Sequence, residues 1–338
     1  MAQKTVIYLD QNKWVELLRE QKRNPSGPLA SIVPTLQAAV ADGKIMVPLS
    51  ATHYLETWHR ADWESRFKLA TLMRSISRYA TLAPVQYLQK LEVRRAVFCR
   101  LLPRYFTTKP SLIAIGYGVN HAFNSPWGRL RLIESVAEDG KPEGLPIDAS
   151  EELIKQRDAV PREKWEWWSL AGFEENMRWK DFEVTGQHRL GDKWMKREVA
   201  TAERLRSNPS MRSRLDDVIV TEEFNDLLDN INDICEMYSL DPHALIQSAQ
   251  DIRSFVQDVP TRYTTYNLRR MRHRNPQHPW AQHDFSDLLS LSVAIPYSDI
   301  VITERQWVHF AHLAKLDRTF NTKITSRLSD LKKYLTEL

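Results

Sequence analysis

The sequence has few cysteines, few glycines and no long apolar run. Its two cysteines, Cys99 and Cys235, are far apart and match neither a disulfide framework nor a metal or redox motif. Ten glycines and the lack of a low-complexity tract argue against disorder. No segment approaches the roughly 20 apolar residues of a membrane-spanning helix. We therefore expect a globular cytoplasmic protein with no membrane partner, and no signal peptide before the strand-like run that begins at Thr5.

The net charge of the chain is mild, but its distribution is uneven. The 338 residues include 47 Lys and Arg and 43 Asp and Glu, for a formal charge of +4. Basic residues cluster between Arg253 and His278 and again between Arg60 and Lys109. Clustered arginine is typical of proteins that bind a polyanion. A solvated helical face is the simpler interpretation of either cluster, and the two are about equally favoured.

The two ends of the chain carry the pattern of an α/β sheet. Short apolar, β-branched runs at 5–10, 45–48 and 299–303 predict buried strands, and 322–325 predicts a shorter last one. Segments with helical spacing lie between these runs. They cover 12–21, 29–41, a long helix from Ser50 to about Tyr79, 284–295, 304–315 and 326–335.

The middle of the chain has a different pattern. Between about Pro84 and Arg274 there is almost no strand signal, and helical spacing dominates. We therefore expect an α/β core over 1–83 and 280–338, with a parallel sheet flanked by helices in three layers. An all-α insertion or subdomain would occupy 84–279. Its predicted helices cover 85–102, 150–157, 193–206, 221–238 and 242–256.

Four acidic residues fall at one rim of this predicted sheet. Asp10 ends the first strand, and Glu56 lies in the second turn of the helix after the second strand. Asp287 lies in the first turn of the helix that leads to the next strand, and Glu304 follows that strand. Sites form at the rim where parallel strands end. Converging carboxylates are tolerable if a divalent cation neutralises them, and their oxygens suit Mg²⁺ or Mn²⁺.

Other acids compete for a place in this set. Asp284 lies three residues before Asp287 on the same helix face, so it is an alternative fourth ligand to Glu304. The helix dipole alone favours an acid in a first helical turn by about 0.3–1 kcal/mol, which would explain Asp284 and Glu304 without a function. Asp299 begins its strand, roughly 13 Å from Thr303 and towards the opposite rim, so we exclude it.

Asp10 and Glu56 differ in how readily a structural role explains them. A glutamate in the middle of a helix, such as Glu56, is often only solvated. A carboxylate that ends a buried strand needs a partner or a metal ion, so Asp10 is the acid that a structural role explains least well.

Four segments of the sequence resemble the motifs of PIN-domain nucleases. The first is an apolar strand ending in Asp-x-Asn, and the second is a strand and a Ser followed by a helical Glu. The third is an acidic, apolar helix before a strand, and the fourth is a Thr-acid-aromatic ending. The family usually carries an Asp shortly after the strand Thr, and Glu304 is the only acid near that place in this sequence. The segments are Val6-Ile7-Tyr8-Leu9-Asp10-Gln11-Asn12, Pro48-Leu49-Ser50 with Glu56, Asp287 to Ala294, and Thr303-Glu304 with Trp307.

The resemblance covers roughly 4–80 and 280–338 and implies a PIN-like, Rossmann-like core with an unusually large insertion. It implies cleavage of RNA, or of single-stranded or flapped DNA, that depends on Mg²⁺ or Mn²⁺. Asp10, Glu56 and Asp287 would be metal ligands, and Asn12 and Thr303 would be supporting hydrogen-bonding residues. Many proteins of this family are toxins or RNA-processing factors, so a toxin or an antiviral defence effector is plausible. A regulatory protein partner, or the insertion itself, would then restrain the activity.

The insertion would supply the contacts to the substrate. Arg269, Arg270, Arg272 and Arg274 lead directly into the helix of Asp284 and Asp287, and we expect them to hold phosphates without sequence selection. The tryptophans of the run 165–168, together with Trp179, are weaker candidates for stacking on unpaired bases, because such clusters are more often core or interface.

Three functions remain open from the sequence. A metal-dependent endoribonuclease is the leading one. A nucleic-acid-binding or partner-binding protein with a degenerate PIN-like core is the second, and a structure-selective DNA nuclease is the third.

Overall fold

The computed structural model describes residues 4–27, 29–58, 60, 62–105, 112–124, 133–136, 142–146, 159–172, 185–275 and 279–336. These residues form a mixed α/β protein in which helices flank a small parallel sheet. At this level the predicted fold class is confirmed. Within the same ranges, no helix has both the length and the apolar character needed to cross a membrane.

Eight short strands are described, and those at the two ends of the chain form one sheet. In chain order they are β1 (Thr5–Leu9), β2 (Ile45–Met46), β3 (Ala80–Leu82), β4 (Ile115–Tyr117), β5 (Ile133–Val136), β6 (Pro142–Pro146), β7 (Ile300–Ile302) and β8 (Lys323–Thr325). The central sheet has the order β2-β1-β7-β8, and every pair in it is parallel. Leu9 pairs with Ile302, and Ile302 pairs with Thr325. The carboxyl ends of these three strands therefore meet at one rim.

Three strands lie in the segment for which the sequence predicted almost none. β4 pairs antiparallel with β3, which a parallel bridge between Leu49 and Thr81 joins to the end of the β2 segment. β5 and β6 form a separate antiparallel pair. The prediction of an all-helical middle is wrong at these places. β4 has only three residues and β6 reads Pro-Glu-Gly-Leu-Pro, so neither has the alternating apolar pattern by which strands are recognised.

Helices follow each strand in the first third of the chain. They are α1 (Gln11–Arg23), α2 (Ile32–Ala41), α3 (Ala51–Trp58), α4 (Trp63–Ser77), α5 (Val85–Leu101) and α6 (Val119–Ala122). The single long helix predicted from Ser50 to Tyr79 is wrong, because α3 ends at Trp58 and α4 starts anew. The Asp62 carboxylate accepts a hydrogen bond from the Ser65 backbone N–H and caps α4.

The rest of the described chain is mostly helical. The helix predicted at 150–157 lies outside the described residues, and that predicted over 221–238 is two helices. The elements are α7 (Arg162–Ala171), α8 (Thr185–Ser207), α9 (Pro209–Ser213), α10 (Leu215–Asn225), α11 (Leu228–Met237), a 3₁₀ turn (Pro242–Ala244), α12 (Ala249–Gln257), α13 (Pro260–His273), α14 (Gln282–Tyr297), α15 (Arg305–Leu313), α16 (Leu316–Phe320) and α17 (Leu328–Thr336).

The two faces of the central sheet bury different sets of side chains. Ile7 and Leu9 of β1 point to one face, where they pack with residues of α1, α2 and α4. Tyr8 points to the other face, because side chains alternate along a strand, and it packs with residues of α13, α14 and α15. Helix α13 belongs to the predicted insertion, so this region contributes to the layer that covers the sheet. The proposed boundaries of the insertion stay a prediction.

Candidate active site

The carboxyl ends of β1 and β7 bring together residues from opposite ends of the chain. The Asp10 backbone N–H donates to the Ile302 carbonyl at 2.9 Å. The Thr303 hydroxyl donates to Asp10 Oδ2 at 2.6 Å. Both contacts follow from the parallel register, in which Leu9 and Ile302 are partners. The pair Asp10 and Thr303 therefore forms the centre of the rim that the sequence predicted.

Asp10 has a structural role as well as a place in the acidic set. Its Oδ1 accepts the Gln11 backbone N–H at 2.8 Å, so its side chain caps α1. Burial raises the pKa of Asp10, the bonds from Thr303 and Gln11 oppose this rise, and the Glu304 charge adds to it. The positive charge of Lys13 favours the charged form of Asp10. The Lys13 ammonium itself forms a salt bridge with Glu16, at 3.0 Å.

Asp287 lies in the second turn of α14 and is held by an aromatic side chain. The Trp307 indole N–H donates to Asp287 Oδ2 at 2.8 Å. Trp307 is fully buried, so this donor has a fixed position. Burial raises the pKa of Asp287 well above its ordinary value, and the Asp10 charge raises it further, while the Trp307 bond opposes the rise. A neutral indole thus orients this carboxylate without neutralising it.

Glu56 and Glu304 complete the acidic set. Burial raises the pKa of Glu56 to about 8, and the charges of Asp10 and Glu304 contribute to this rise. Glu304 is exposed, and its Oε1 accepts the Asn12 amide N–H at 2.7 Å. The other amide atom of Asn12, Oδ1, is buried without a hydrogen-bond partner. Asn12 therefore offers an unused acceptor beside an exposed carboxylate.

The four carboxylates interact electrostatically as one cluster. The pKa of Asp287 is raised by Asp10, Glu304 and Glu56, and that of Glu56 by Asp10 and Glu304. Such mutual effects require the charges to be close in a poorly solvated region. Asp10, Glu56, Asp287 and Glu304 are therefore close enough for their charges to affect one another, and their role as metal ligands stays a prediction.

The donor atoms of this cluster are of the kind that a hard divalent cation prefers. All its donors are oxygens, and the unused Asn12 Oδ1 adds an acceptor for a bound water. Among the residues that the structure describes, no three His, Cys, Asp or Glu side chains are already arranged to hold a metal ion. Uncompensated like charges repel one another, so a bound cation would draw these carboxylates closer together.

Asp284 lies close in sequence to Asp287 but has other partners. It is 2% exposed, and its Oδ2 accepts the Arg272 guanidinium at 2.6 Å and the Ala281 backbone N–H at 2.7 Å. The Arg272 guanidinium also stacks over Trp280 and Trp307, with distances of 4.8 and 5.7 Å to the ring centroids. Asp284 therefore caps the start of α14 and anchors α13 to it. Glu304 is the remaining candidate for the fourth acid of the cluster.

The four arginines expected to bind phosphate occupy different environments. Arg269 is 1% exposed and forms salt bridges with Glu198, Glu222 and Glu223. The packing around Arg269 leaves no room for a phosphate. The packing around Arg272, which is 6% exposed, leaves none either. These two residues are removed from the predicted set of phosphate contacts. Their role is to join α13 to its neighbouring helices.

The other two arginines lie closer to solvent. Arg270 pairs with Asp216 at 2.9 Å and its side chain is 18% exposed. Arg274 lies 3.8 Å from the same carboxylate and its side chain is 54% exposed. Arg274 is therefore the more accessible of the two to a polyanion, and phosphate binding by either residue stays a prediction. Asp299, which was excluded from the site, precedes β7 and accepts the Val6 backbone N–H at 2.7 Å, at the end of the sheet opposite Thr303.

The tryptophan cluster is partly accounted for by packing. Trp165 and Trp167 pack against the core on the Ile7 face of the sheet. Trp167 also makes an edge-to-face contact with Phe67, with 5.2 Å between ring centroids. Trp179 lies outside the described residues. The favoured interpretation of the cluster as core or interface fits Trp165 and Trp167.

Sequence reasoning missed a buried polar network beneath the carboxylates. It contains Ser50, Thr52, His53 and Ser290, all less than a tenth exposed. The sequence signal for this network is the spacing of two hydroxyl residues from the acids. Thr52 lies four residues before Glu56, and Ser290 lies three residues after Asp287, so each shares a helix face with its acid. Hydroxyl residues in helices are usually at the surface, so spacing alone does not predict their burial.

Comparison with known proteins does not add to these observations. No family model, no curated protein and no solved structure matches the chain. The resemblance to PIN-domain nucleases therefore depends only on the motifs in the sequence.

Proposed function

We propose that the chain is a metal-dependent nuclease with a PIN-like core, and that it cuts RNA. The observation that carries the proposal is the group of Asp10, Glu56, Asp287 and Glu304, which act on one another at the rim where β1 and β7 end. A stable fold gains nothing from like charges brought together in a poorly solvated place. Functional sites are where such perturbed groups are concentrated.

Asp10, Glu56 and Asp287 would hold Mg²⁺ or Mn²⁺, and Glu304 would complete the set. Such an ion, when bound, supplies a nucleophilic water at neutral pH and stabilises the charge that develops on a phosphate. The protein contributes the orientation of the ligands. Thr303 fixes Asp10, Trp307 fixes Asp287 and Asn12 fixes Glu304, each through one hydrogen bond.

Glu56 is the acid most affected by the state of the site. With a pKa of about 8, it is protonated at neutral pH unless a cation favours the charged form. Cation binding at this site therefore releases a proton from Glu56.

Cleavage assays with RNA, single-stranded DNA, duplex DNA and flapped DNA distinguish the proposed classes of substrate. Each labelled substrate is incubated with the full chain and with Mn²⁺ or EDTA. We expect cleavage of RNA with Mn²⁺ and none with EDTA, and a loss of at least about a hundredfold in Asp10→Asn and Asp287→Asn. Asp233→Asn is the matched control, because Asp233 is an exposed acid of α11. Equal activity in Asp10→Asn, Asp287→Asn and Asp233→Asn would contradict the assignment of the site.

A second function has one observation in its favour. The described acidic side chains are not already arranged as a metal site, which is what a degenerate core that only binds nucleic acid or a protein would show. Retained RNA binding without cleavage, with Mn²⁺ and with EDTA, supports this alternative. Cleavage of branched or flapped DNA but not of RNA supports a DNA nuclease instead.

A further inference from the structure

A continuous chain of hydroxyl groups runs beneath the carboxylate cluster. Tyr8 OH lies 3.2 Å from Ser50 Oγ, which lies 2.7 Å from Thr52 Oγ1. Thr52 Oγ1 lies 2.6 Å from Ser290 Oγ, and the Ser290 hydroxyl donates to the Ser286 carbonyl at 3.0 Å. Each hydroxyl has a single proton to donate. Because a carbonyl only accepts, these contacts are all made when each group donates to the next, from Tyr8 to Ser286. Ser50 Oγ also lies 3.0 Å from His53 Nδ1, and in this arrangement that nitrogen accepts the Ser50 backbone N–H instead.

His53 joins this chain to the strand that ends at Asp10. It is completely buried, and its Nδ1 accepts the Ser50 backbone N–H at 2.8 Å. The proton of the neutral ring is therefore on Nε2, which donates to the Leu9 carbonyl at 2.9 Å. The imidazole also packs against the rings of Tyr8 and Trp14, with centroid distances of 5.3 and 6.5 Å. Its orientation is fixed on several sides.

Three residues that the network joins lie one residue or one helical turn from a carboxylate. Leu9 directly precedes Asp10 on β1. Thr52 lies one turn before Glu56 on α3, and Ser290 lies one turn after Asp287 on α14. The three carboxylates are on three separate elements. The contact between Thr52 and Ser290 joins α3 to α14, and the contact between His53 and Leu9 joins α3 to β1.

We propose that Thr52, Ser290 and His53 are positioning residues, which hold the elements that carry Asp10, Glu56 and Asp287 against one another so that the three carboxylates can close on a divalent cation. The inference rests on the proposed function. A metal site requires that the elements carrying its ligands have fixed relative positions, and specific polar contacts fix these positions more closely than helix packing alone. Fully satisfied buried polar networks specify one arrangement, because any other leaves a buried group without a partner.

The link between Thr52 and Ser290 can be removed with little change of shape. Thr52→Val replaces the hydroxyl by a methyl group, and Ser290→Ala deletes it. Mn²⁺ affinity is measured by calorimetric titration of the folded full chain at pH 7.5. We expect each variant to bind Mn²⁺ about ten- to a hundredfold more weakly, the range found when a partner of a metal ligand is lost. The double variant should bind no more weakly than the weaker single one, because both substitutions remove the same contact.

A matched control separates positioning from general stability. Thr264→Val removes a fully buried hydroxyl of α13 that donates to the Pro260 carbonyl, and it should lower the free energy of unfolding without changing Mn²⁺ affinity. His53→Gln, which keeps a donor for the Leu9 carbonyl, should retain more Mn²⁺ affinity than His53→Leu.

The outcomes distinguish the two proposals. A wild-type chain that binds no Mn²⁺ overturns the proposed function and this inference with it. Wild-type binding that Thr52→Val and Ser290→Ala leave unchanged overturns only the inference. Losses of affinity that add in the double variant also overturn it, since they show two independent effects.

Discussion

The Thr303 hydroxyl donates a 2.6 Å hydrogen bond to the Asp10 carboxylate across 293 positions of sequence. This contact exists because β1 and β7 are adjacent parallel strands that end in register. It joins the first and last segments of the chain at the point where the acidic residues meet. The site therefore forms only after the two ends of the chain have paired.

Loss of the Thr303 hydroxyl should affect the site more than the fold. Thr303→Val removes a hydrogen bond that favours the charged form of Asp10, so the pKa of Asp10 rises and cation binding weakens. We expect Mn²⁺ affinity to fall about tenfold or more, measured by calorimetric titration. Thr303→Ser keeps the hydroxyl and should bind Mn²⁺ nearly as well as the wild type. Equal binding by the valine variant would contradict the role of this contact.

The raised pKa of Glu56 predicts how the metal-free protein responds to pH. Its pKa rises from 4.5 to about 8 in the folded state, so between these values the folded chain keeps a proton that the unfolded chain has lost. The stability that this proton provides is complete below pH 4.5 and is lost as pH rises towards 8. Glu56→Gln removes this dependence.

Urea unfolding in EDTA at pH 5 and pH 8.5 measures the effect. The free energy of unfolding of Glu56→Gln, relative to wild type, should increase by more than about 1 kcal/mol between the two pH values. Glu236→Gln is the control, since Glu236 is exposed on α11, and its difference from wild type should stay constant. A Glu56→Gln difference that does not change with pH would show that Glu56 is not buried among like charges.

The indole N–H of Trp307 is predicted to act through Asp287. Trp307→Phe keeps an aromatic ring in the core but removes the donor to Asp287 Oδ2, so the carboxylate loses its orientation. RNA cleavage should fall about ten- to a hundredfold, and a higher Mn²⁺ concentration should restore part of the activity. An activity loss that Mn²⁺ does not relieve would point to a collapsed core instead.

Arg269 is predicted to stabilise the fold and not to bind nucleic acid. Arg269→Ala removes the guanidinium that joins Glu198 and Glu223, each at most 1% exposed, and leaves them only Arg262 and His273 among the ion-pair partners that the structure describes. Breaking such a buried cluster costs about 3–5 kcal/mol, which thermal or urea unfolding detects. Arg274→Ala removes an exposed charge and should change stability by less than about 0.5 kcal/mol. Unfolding free energies that are equal in the two variants would contradict the assignment of Arg269.

The contact between Asp10 and Thr303 was predictable from the sequence because the rule behind it is simple. Apolar runs identify β1 and β7, and parallel strands share a rim, so Asp10 and Thr303 could be placed together before the structure was known. Asp287 and Glu56 followed from helices that begin near that rim. The spacing did not predict which side chain each of these acids would bond to. Asp284 and Asp287 look equivalent on one helix face, but Arg272 pairs with Asp284 and Trp307 with Asp287.

The arginine run shows the opposite outcome. The six residues 269–274 include four arginines and resemble a surface patch in the sequence. At the end of α13 these arginines point in different directions. Arg269 turns towards α8 and α10 and meets glutamates that are about 50 to 70 positions away. Charge complementarity between distant helices has no local signal, so composition alone could not separate the buried arginines from Arg274.

A crystal structure determined in Mn²⁺ tests the central claim most directly. The account predicts an anomalous peak between the carboxylates of Asp10, Glu56 and Asp287, with ligand oxygens at about 2.0–2.3 Å. It also predicts that Thr303 and Trp307 still donate to Asp10 and Asp287 in that structure. The absence of a peak at this rim, with the three carboxylates more than about 10 Å apart, would contradict both the metal site and the nuclease that depends on it.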